Sequence, residues 1–185
     1  MPPTFVLLRH GEAEHNVGFR EHGESAYENP AYRDSALTET GIQQAKDARD
    51  ALSHLSFLAV WSSPLTRCIQ TATYANNGDG IMFLHDGLLE RLGGGHVCNE
   101  RKTKTEIKST HLDCVTMFLP DSPPTWNERE GRSSVYCRAF GVIAFLRQMY
   151  AEKTQEDHVL IVTHHDWIEI LTEKSVKNCE YVLVR

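Results

Sequence analysis

The sequence predicts an α/β fold, a three-layer sandwich whose central, mostly parallel sheet is flanked by helices, and three observations carry that prediction. Short apolar runs of strand length recur at Phe5-Val6-Leu7-Leu8, Leu58-Ala59-Val60-Trp61 and Leu160-Ile161-Val162. Stretches with helical apolar spacing lie between them, and alternation of strand and helix is the pattern of parallel sheets. Each run also ends in a polar segment: Arg9-His10-Gly11, Ser62-Ser63-Pro64-Leu65-Thr66-Arg67 and Thr163-His164-His165-Asp166. Open α/β sheets bind ligands at the carboxyl ends of their strands, so Arg9, His10, Arg67 and His164 are expected to meet in one crevice.

Taken in order, the first run is bounded by Gly11, which permits a sharp turn and a close backbone approach. Residues 18–36 are polar and show no period of 3.6 or 2, which predicts a loop over the strand ends. Thr40 reads as a helix N-cap with Gln43 completing a capping box, and Ile42, Ala45, Ala48, Leu52 and Leu55 form an apolar stripe. Pro64 is placed to start the next helix, with Leu65, Cys68, Ile69 and Ala72 inward and Asn76, Asn77 and Gly78 at its end. Arg67 then falls in the first turn, where free N–H groups and the helix dipole favour an anion.

Residues 81–84 predict a further strand, and the chain to residue 124 reads as irregular apart from a short helix near 104–111. A long amphipathic helix is expected from 133 or 134 to 153, with Val135, Phe140, Val142, Ile143, Leu146 and Met149 toward the core. Trp167, Ile168, Ile170 and Leu171 suggest another helix, and residues 181–184 a final edge strand.

A length of 185 residues fits one domain, 1–185. The formal net charge of -6 gives no basic face for nucleic acid or an anionic membrane. The amino terminus lacks a signal-peptide pattern and no apolar run is long enough to span a bilayer, so a cytoplasmic location is expected. Five cysteines, at 68, 98, 114, 137 and 179, are scattered without Cys-x-x-Cys spacing, which predicts reduced thiols rather than disulfides or a zinc cluster. Arg101, Lys102, Lys104 and Lys108 read as a solvated helix face, and His165-Asp166 lacks the carboxylate-rich spacing of a metal site.

Arg9-His10-Gly11-Glu12, with Asn16 downstream, resembles the signature of the histidine phosphatase superfamily, also called phosphoglycerate mutase-like. Further pieces follow in that family's order: Leu37-Thr38-Glu39-Thr40-Gly41, the 62–72 segment around Arg67, Leu89-Glu90-Arg91, Val162-Thr163-His164 and Asn178-Cys179-Glu180. The resemblance implies a phosphoglycerate mutase-like fold and a phosphatase with no cofactor and no metal. It implies His10 as the nucleophile that becomes phosphohistidine, with Arg9, Asn16, Arg67 and His164 holding the phosphoryl group. The arginine fork suits phosphate oxygens and keeps its charge near neutral pH. Glu90 matches the family's general acid, although Glu12, Glu14 and Glu100 are other carboxylates within reach of the crevice.

Two departures and two alternatives follow. His165 stands where many relatives have glycine, and Cys98 lies in a glycine-rich loop after Glu90. A phosphoglycerate mutase, or a phospho-ligand binding module without turnover, are the competing readings; the short chain favours hydrolysis, because a mutase must shield its phosphoenzyme from water. The expected partner is a phosphorylated small molecule or a phosphoprotein, selected by residues 19–36 and 93–126, and the sequence does not set the oligomeric state.

Overall fold

The computed structural model describes residues 3–76, 80–125 and 127–185. Its first half contains β1 (Thr4–Arg9), α1 (Glu14–His22), α2 (Ser25–Glu28), α3 (Glu39–Ala51), β2 (Phe57–Ser62), α4 (Thr66–Ala75) and β3 (Met82–Leu84). There follow α5 (Lys104–Thr110), β4 (Cys114–Val115), α6 (Arg132–Met149), β5 (His158–Thr163), α7 (His165–Thr172) and β6 (Tyr181–Val184). The sheet order is β4-β3-β2-β5-β1-β6, parallel throughout except for β6, which runs antiparallel to β1.

The strands read as continuous apolar runs because both faces of the sheet are covered. Phe5, Leu7, Trp61 and Ile161 face α6 and α7, packing with Val135, Leu146 and Trp167. Their neighbours Val6, Leu8, Val60, Leu160 and Val162 face α3 and α4, meeting Leu52, Cys68 and Ala72. This alternation is the period of two of a pleated strand, and it produces the three-layer sandwich. Because β5 lies between β1 and β2, the three strands that end in Arg9, Ser62 and Thr163 are adjacent. His10 N donates to Thr163 O at 3.0 Å and Ser63 N to Val162 O at 2.9 Å, so the strand ends are level.

Several local expectations are corrected. Residues 18–36 are not a loop: α1 extends to His22, and α2 and a 3-10 turn at Pro30–Tyr32 follow. Helix α1 buries only His15 and Gly18, so it leaves no apolar stripe for periodicity to find. The N-cap of α3 is Thr38, whose hydroxyl accepts from Gly41 N at 3.0 Å; Gln43 instead bonds Asp47. Helix α4 starts at Thr66, after Pro64, because its cap comes from a distant residue: Asp34 accepts from Thr66 N at 2.7 Å and Thr66 Oγ1 at 2.8 Å. Asn76 does close α4, whereas Asn77 and Gly78 lie outside the described residues, as does Trp126. Helix α6 ends at Met149, and Phe140 and Met149 are exposed, whereas Val135, Val142, Ile143 and Leu146 are buried as expected, together with Ala139. The two-residue β4 lies in a region read as irregular.

Arg101 is not part of a solvated face. It is fully buried, and its Nε and Nη2 reach the two oxygens of Asp86 at 2.7 and 2.9 Å, with carbonyls of Lys102, Pro120 and Ser122 taking its other protons. Removing one partner of such a buried pair costs about 3–5 kcal/mol, because the other charge is left unpaired. Arg101→Ala is therefore expected to lower the thermal midpoint by about 10 °C in a calorimetric scan.

Candidate active site

At the carboxyl ends of β1, β2 and β5 lies a cavity of about 160 Å³ into which Arg9, His10, Asn16, Arg67 and Glu90 all face. Its tight floor depends on two glycines. A Cβ on Gly11 would lie 2.5 Å from Gly41 O, and one on Gly41 would lie 2.0 Å from Glu12 O, so the His10 turn and the start of α3 can touch only backbone to backbone.

His10 is buried, and its Nδ1 is 2.7 Å from Gly11 O. A carbonyl can only accept, so Nδ1 carries the proton and Nε2 is left with its lone pair. Burial, then the charges of Arg67 and Arg9, hold the His10 imidazole well below its usual range. Neutral imidazole is the form that can act as a nucleophile.

Arg67, in the first turn of α4, donates from Nη1 to Cys98 O at 2.8 Å and from Nη2 to Asn99 Oδ1 at 2.9 Å. Arg9 donates from Nη1 to Val176 O at 2.8 Å. The Nε atoms of both arginines are buried and have no partner among the described residues. Two guanidiniums with spare donors and little solvent make a strong local site for a dianion in a chain that is acidic overall.

His164 stands behind the others. It is fully buried and is not among the described residues that line the cavity. Its ring centroid is 5.2 Å from that of His10, its Nδ1 accepts from Arg67 Nη2 at 3.4 Å, and its Nε2 donates to Ser63 Oγ at 2.9 Å. It thus braces Arg67 from below. Asn16, expected to present a donor, accepts from Ala13 N through Oδ1 at 3.0 Å and reaches His15 Nε2 through Nδ2 at 3.1 Å.

Of the candidate acids, only Glu90 lines the cavity among the described residues. Glu12 is drawn aside by Thr38 Oγ1 and Arg20, both at 2.8 Å, Glu100 pairs with Arg33 at 3.6 Å, and Glu14 is exposed. Burial and the neighbouring Asp166 raise the Glu90 carboxyl above its usual range, against hydrogen bonds from backbone N–H groups. Asp166 moves the other way, held down first by its hydrogen bond with His165. Two carboxyls pushed apart in this way are suited to different protonation states at one pH. The Glu90 segment is fixed by Arg138 of α6, whose Nη1 donates to Gly87 O at 3.0 Å and Leu89 O at 2.6 Å while Nη2 meets Glu130 Oε2 at 2.6 Å.

Further residues complete the lining. His15 lines the cavity, and burial, then the arginine charges, push it down to about 2. Tyr27, Arg129 and Asp166 also line it; Asp166 follows from the segment after β5, whereas Tyr27 and Arg129 are brought there by segments whose position a local pattern does not encode. His165 lies at the rim, with Nδ1 3.2 Å from Asp166 Oδ1 and Nε2 3.0 Å from Ser175 Oγ. His165, Asp166 and Glu169 bring donor atoms within 4.8 Å of one another. Arg129 and Arg91 approach Asp166 at 3.7 and 4.0 Å and Arg132 approaches Glu169 at 3.6 Å, a positive setting that opposes a cation there. Cys98 is a buried free thiol, and among the described residues no helix is long and apolar enough to cross a membrane.

Comparison with known proteins gives the family and the fold. A family model described as histidine phosphatase superfamily (branch 1) matches residues 5–178. A probable phosphatase of Schizosaccharomyces pombe is 27% identical over 172 residues, covering 91% of this chain and 55% of the relative. A probable phosphoglycerate mutase of Proteus mirabilis is 30% identical over 129 residues, covering 70% and 55%. The chain thus spans about half the length of these curated relatives. Among solved structures, a mycobacterial glucosyl-3-phosphoglycerate phosphatase has the same fold, with a TM-score of 0.67, 22% identity and coverage of 97% of this chain and 88% of the other.

Proposed function

The chain belongs to the histidine phosphatase superfamily, and on that premise we propose that it hydrolyses phosphomonoesters through a phosphohistidine on His10. The observation that carries this reading is a neutral, tautomer-fixed His10 in one cavity with Arg9, Arg67 and Glu90. Nε2 attacks phosphorus in line with the ester oxygen, the P–O bond breaks, and Glu90 gives its proton to the departing alkoxide. Arg9 and Arg67 stabilise the equatorial oxygens, with Asn16 a polar neighbour and His164 holding Arg67 in place. Glu90, now a carboxylate, takes a proton from water as that water attacks the phosphohistidine; the P–N bond breaks and inorganic phosphate leaves.

The test is rapid quenching during turnover of a phosphomonoester labelled in its phosphoryl group, with chelator present. An acid-labile, base-stable phosphoenzyme that decays to inorganic phosphate supports hydrolysis through histidine. Label passed to an added phosphoglycerate instead would favour transfer, the activity named for the Proteus mirabilis relative. Phosphate bound without any covalent label would leave a binding module.

The pH profile is a second check. Hydrolysis requires His10 neutral and Glu90 protonated. His10 is shifted down, so its reactive form persists into acid; Glu90 is shifted up, so its acid form extends above the ordinary carboxylate range. The kcat profile is therefore expected to fall on its alkaline side, by about one decade per pH unit, as Glu90 loses its proton. Glu90→Gln is expected to remove that limb and to lower kcat by about 10²- to 10⁴-fold.

A further inference from the structure

Next to the phosphate cavity is a second one of about 460 Å³, and the two share His96 and Asn99 in their walls. The first, at about 160 Å³, is small for more than a phosphoryl group, whereas the second falls in the ~300–1,000 Å³ range of small-molecule sites. At their junction Tyr27 stands as a wall, its ring near-parallel to Phe19 at 5.0 Å on one side and tilted against His96 at 4.9 Å on the other.

The two cavities differ in charge. Arg9 and Arg67 both serve the first. Arg33 is the one lysine or arginine among the described residues lining the second, and it pairs with Glu100 of the same wall at 3.6 Å. Glu28 lies against the rim at Gly95, so the balance there is neutral to acidic. Arg129 lines the first cavity and not the second: its Nη2 approaches Asp166 at 3.7 Å and its Nη1 lies 2.8 Å from Nε2 of the shared His96. The rest of the second lining mixes apolar Leu92, Pro123 and Pro124 with Thr125, Asn127 and bare glycine backbone. Gly93, Gly94 and Gly95 all have positive φ, at 76, 66 and 78°, and the turn closes on itself, Gly93 O accepting from His96 N at 3.4 Å and Gly95 O from Val97 N at 2.8 Å.

We infer that the second cavity takes the alcohol part of the substrate, and that this alcohol is uncharged and of ring size, a sugar, cyclic polyol or nucleoside, rather than a phosphorylated acid or a bisphosphate. The inference rests on the proposed phosphatase reading for the position of the phosphoryl group. A neutral ring with apolar and hydroxylated faces fits a wall that sets Leu92, Pro123 and Pro124 beside the polar, uncharged Asn99, Thr125 and Asn127. A carboxylate or second phosphate would meet one cation there, Arg33, already set against Glu100, and would lie beside the carboxylates of Glu100 and Glu28.

The test has a binding arm and a turnover arm. Binding of glucose 6-phosphate, a nucleoside 5′-monophosphate, 3-phosphoglycerate and fructose 1,6-bisphosphate is measured by calorimetry on His10→Ala protein, and hydrolysis of the same esters and of methyl phosphate on protein with His10 intact. The neutral-alcohol esters are expected to bind at least ~10-fold more tightly than the two anionic ones. Thr125→Trp, which fills the second cavity, is expected to weaken them ~10-fold or more while hydrolysis of methyl phosphate stays within about twofold. Thr125→Lys is expected to narrow the preference by strengthening 3-phosphoglycerate. Equal or tighter binding of the anionic esters, or no response to Thr125→Trp, would overturn the inference. Preferential binding that responds to Thr125→Trp without hydrolysis of any ester would uphold the second cavity and remove the phosphatase reading instead.

Discussion

His10→Ala is expected to lower phosphate release by about 10⁴-fold or more, the order lost when the nucleophile of a covalent mechanism is removed. The loss is expected in kcat rather than in binding, because both arginines and their anchors at Cys98, Asn99 and Val176 are untouched. The substitution also removes a buried imidazole that, among the described residues, bonds only the adjacent Gly11 O, so the fold loses little. Steady-state kinetics on a phosphomonoester, with phosphate affinity measured in parallel, separates the two terms. Retention of more than a hundredth of the rate would mean that water attacks phosphorus directly, and His10 would then be a phosphate ligand.

Arg67→Ala is expected to cost about 10³-fold in kcat/KM, at the upper end for removing one preorganised donor from a developing charge. Its reach is wider than one donor, because Arg67 ties the Cys98–Asn99 turn to His164 and to the start of α4. Arg67→Lys is the informative companion. A lysine keeps the charge but cannot span Cys98 O, Asn99 Oδ1 and the His164 ring at once, so it is expected to recover no more than about tenfold. Full recovery by lysine would show that charge alone is needed there. Arg67→Ala is also expected to raise the alkaline-side pKa of the kcat profile, because Arg67 is one of the charges that lowers Glu90, whereas Arg67→Lys keeps that charge and is expected to leave the limb near its original place.

The sheet was legible in the sequence because strands buried on both faces must be apolar throughout, and three such runs, followed within a few residues by Arg9, Arg67 and His164, mark the carboxyl ends of a parallel sheet. The helix boundaries were less legible where caps are not local. Asp34 closes the start of α4 from 32 residues away, and neither Pro64 nor Leu65 carries a sign of it. Arg101 reads as one charge in a basic run until Asp86 meets it in the interior. The chain itself determined which residues end the central strands, and with them the arginines and imidazoles of the site, because strand length and alternation are set by local sequence. Only the tertiary structure decided that Glu90, and not Glu12, Glu14 or Glu100, faces the cavity, that His164 stands behind Arg67, and that a second, nearly neutral cavity opens past His96. Those outcomes depend on contacts between segments far apart in the chain, and no local pattern encodes the distance between them.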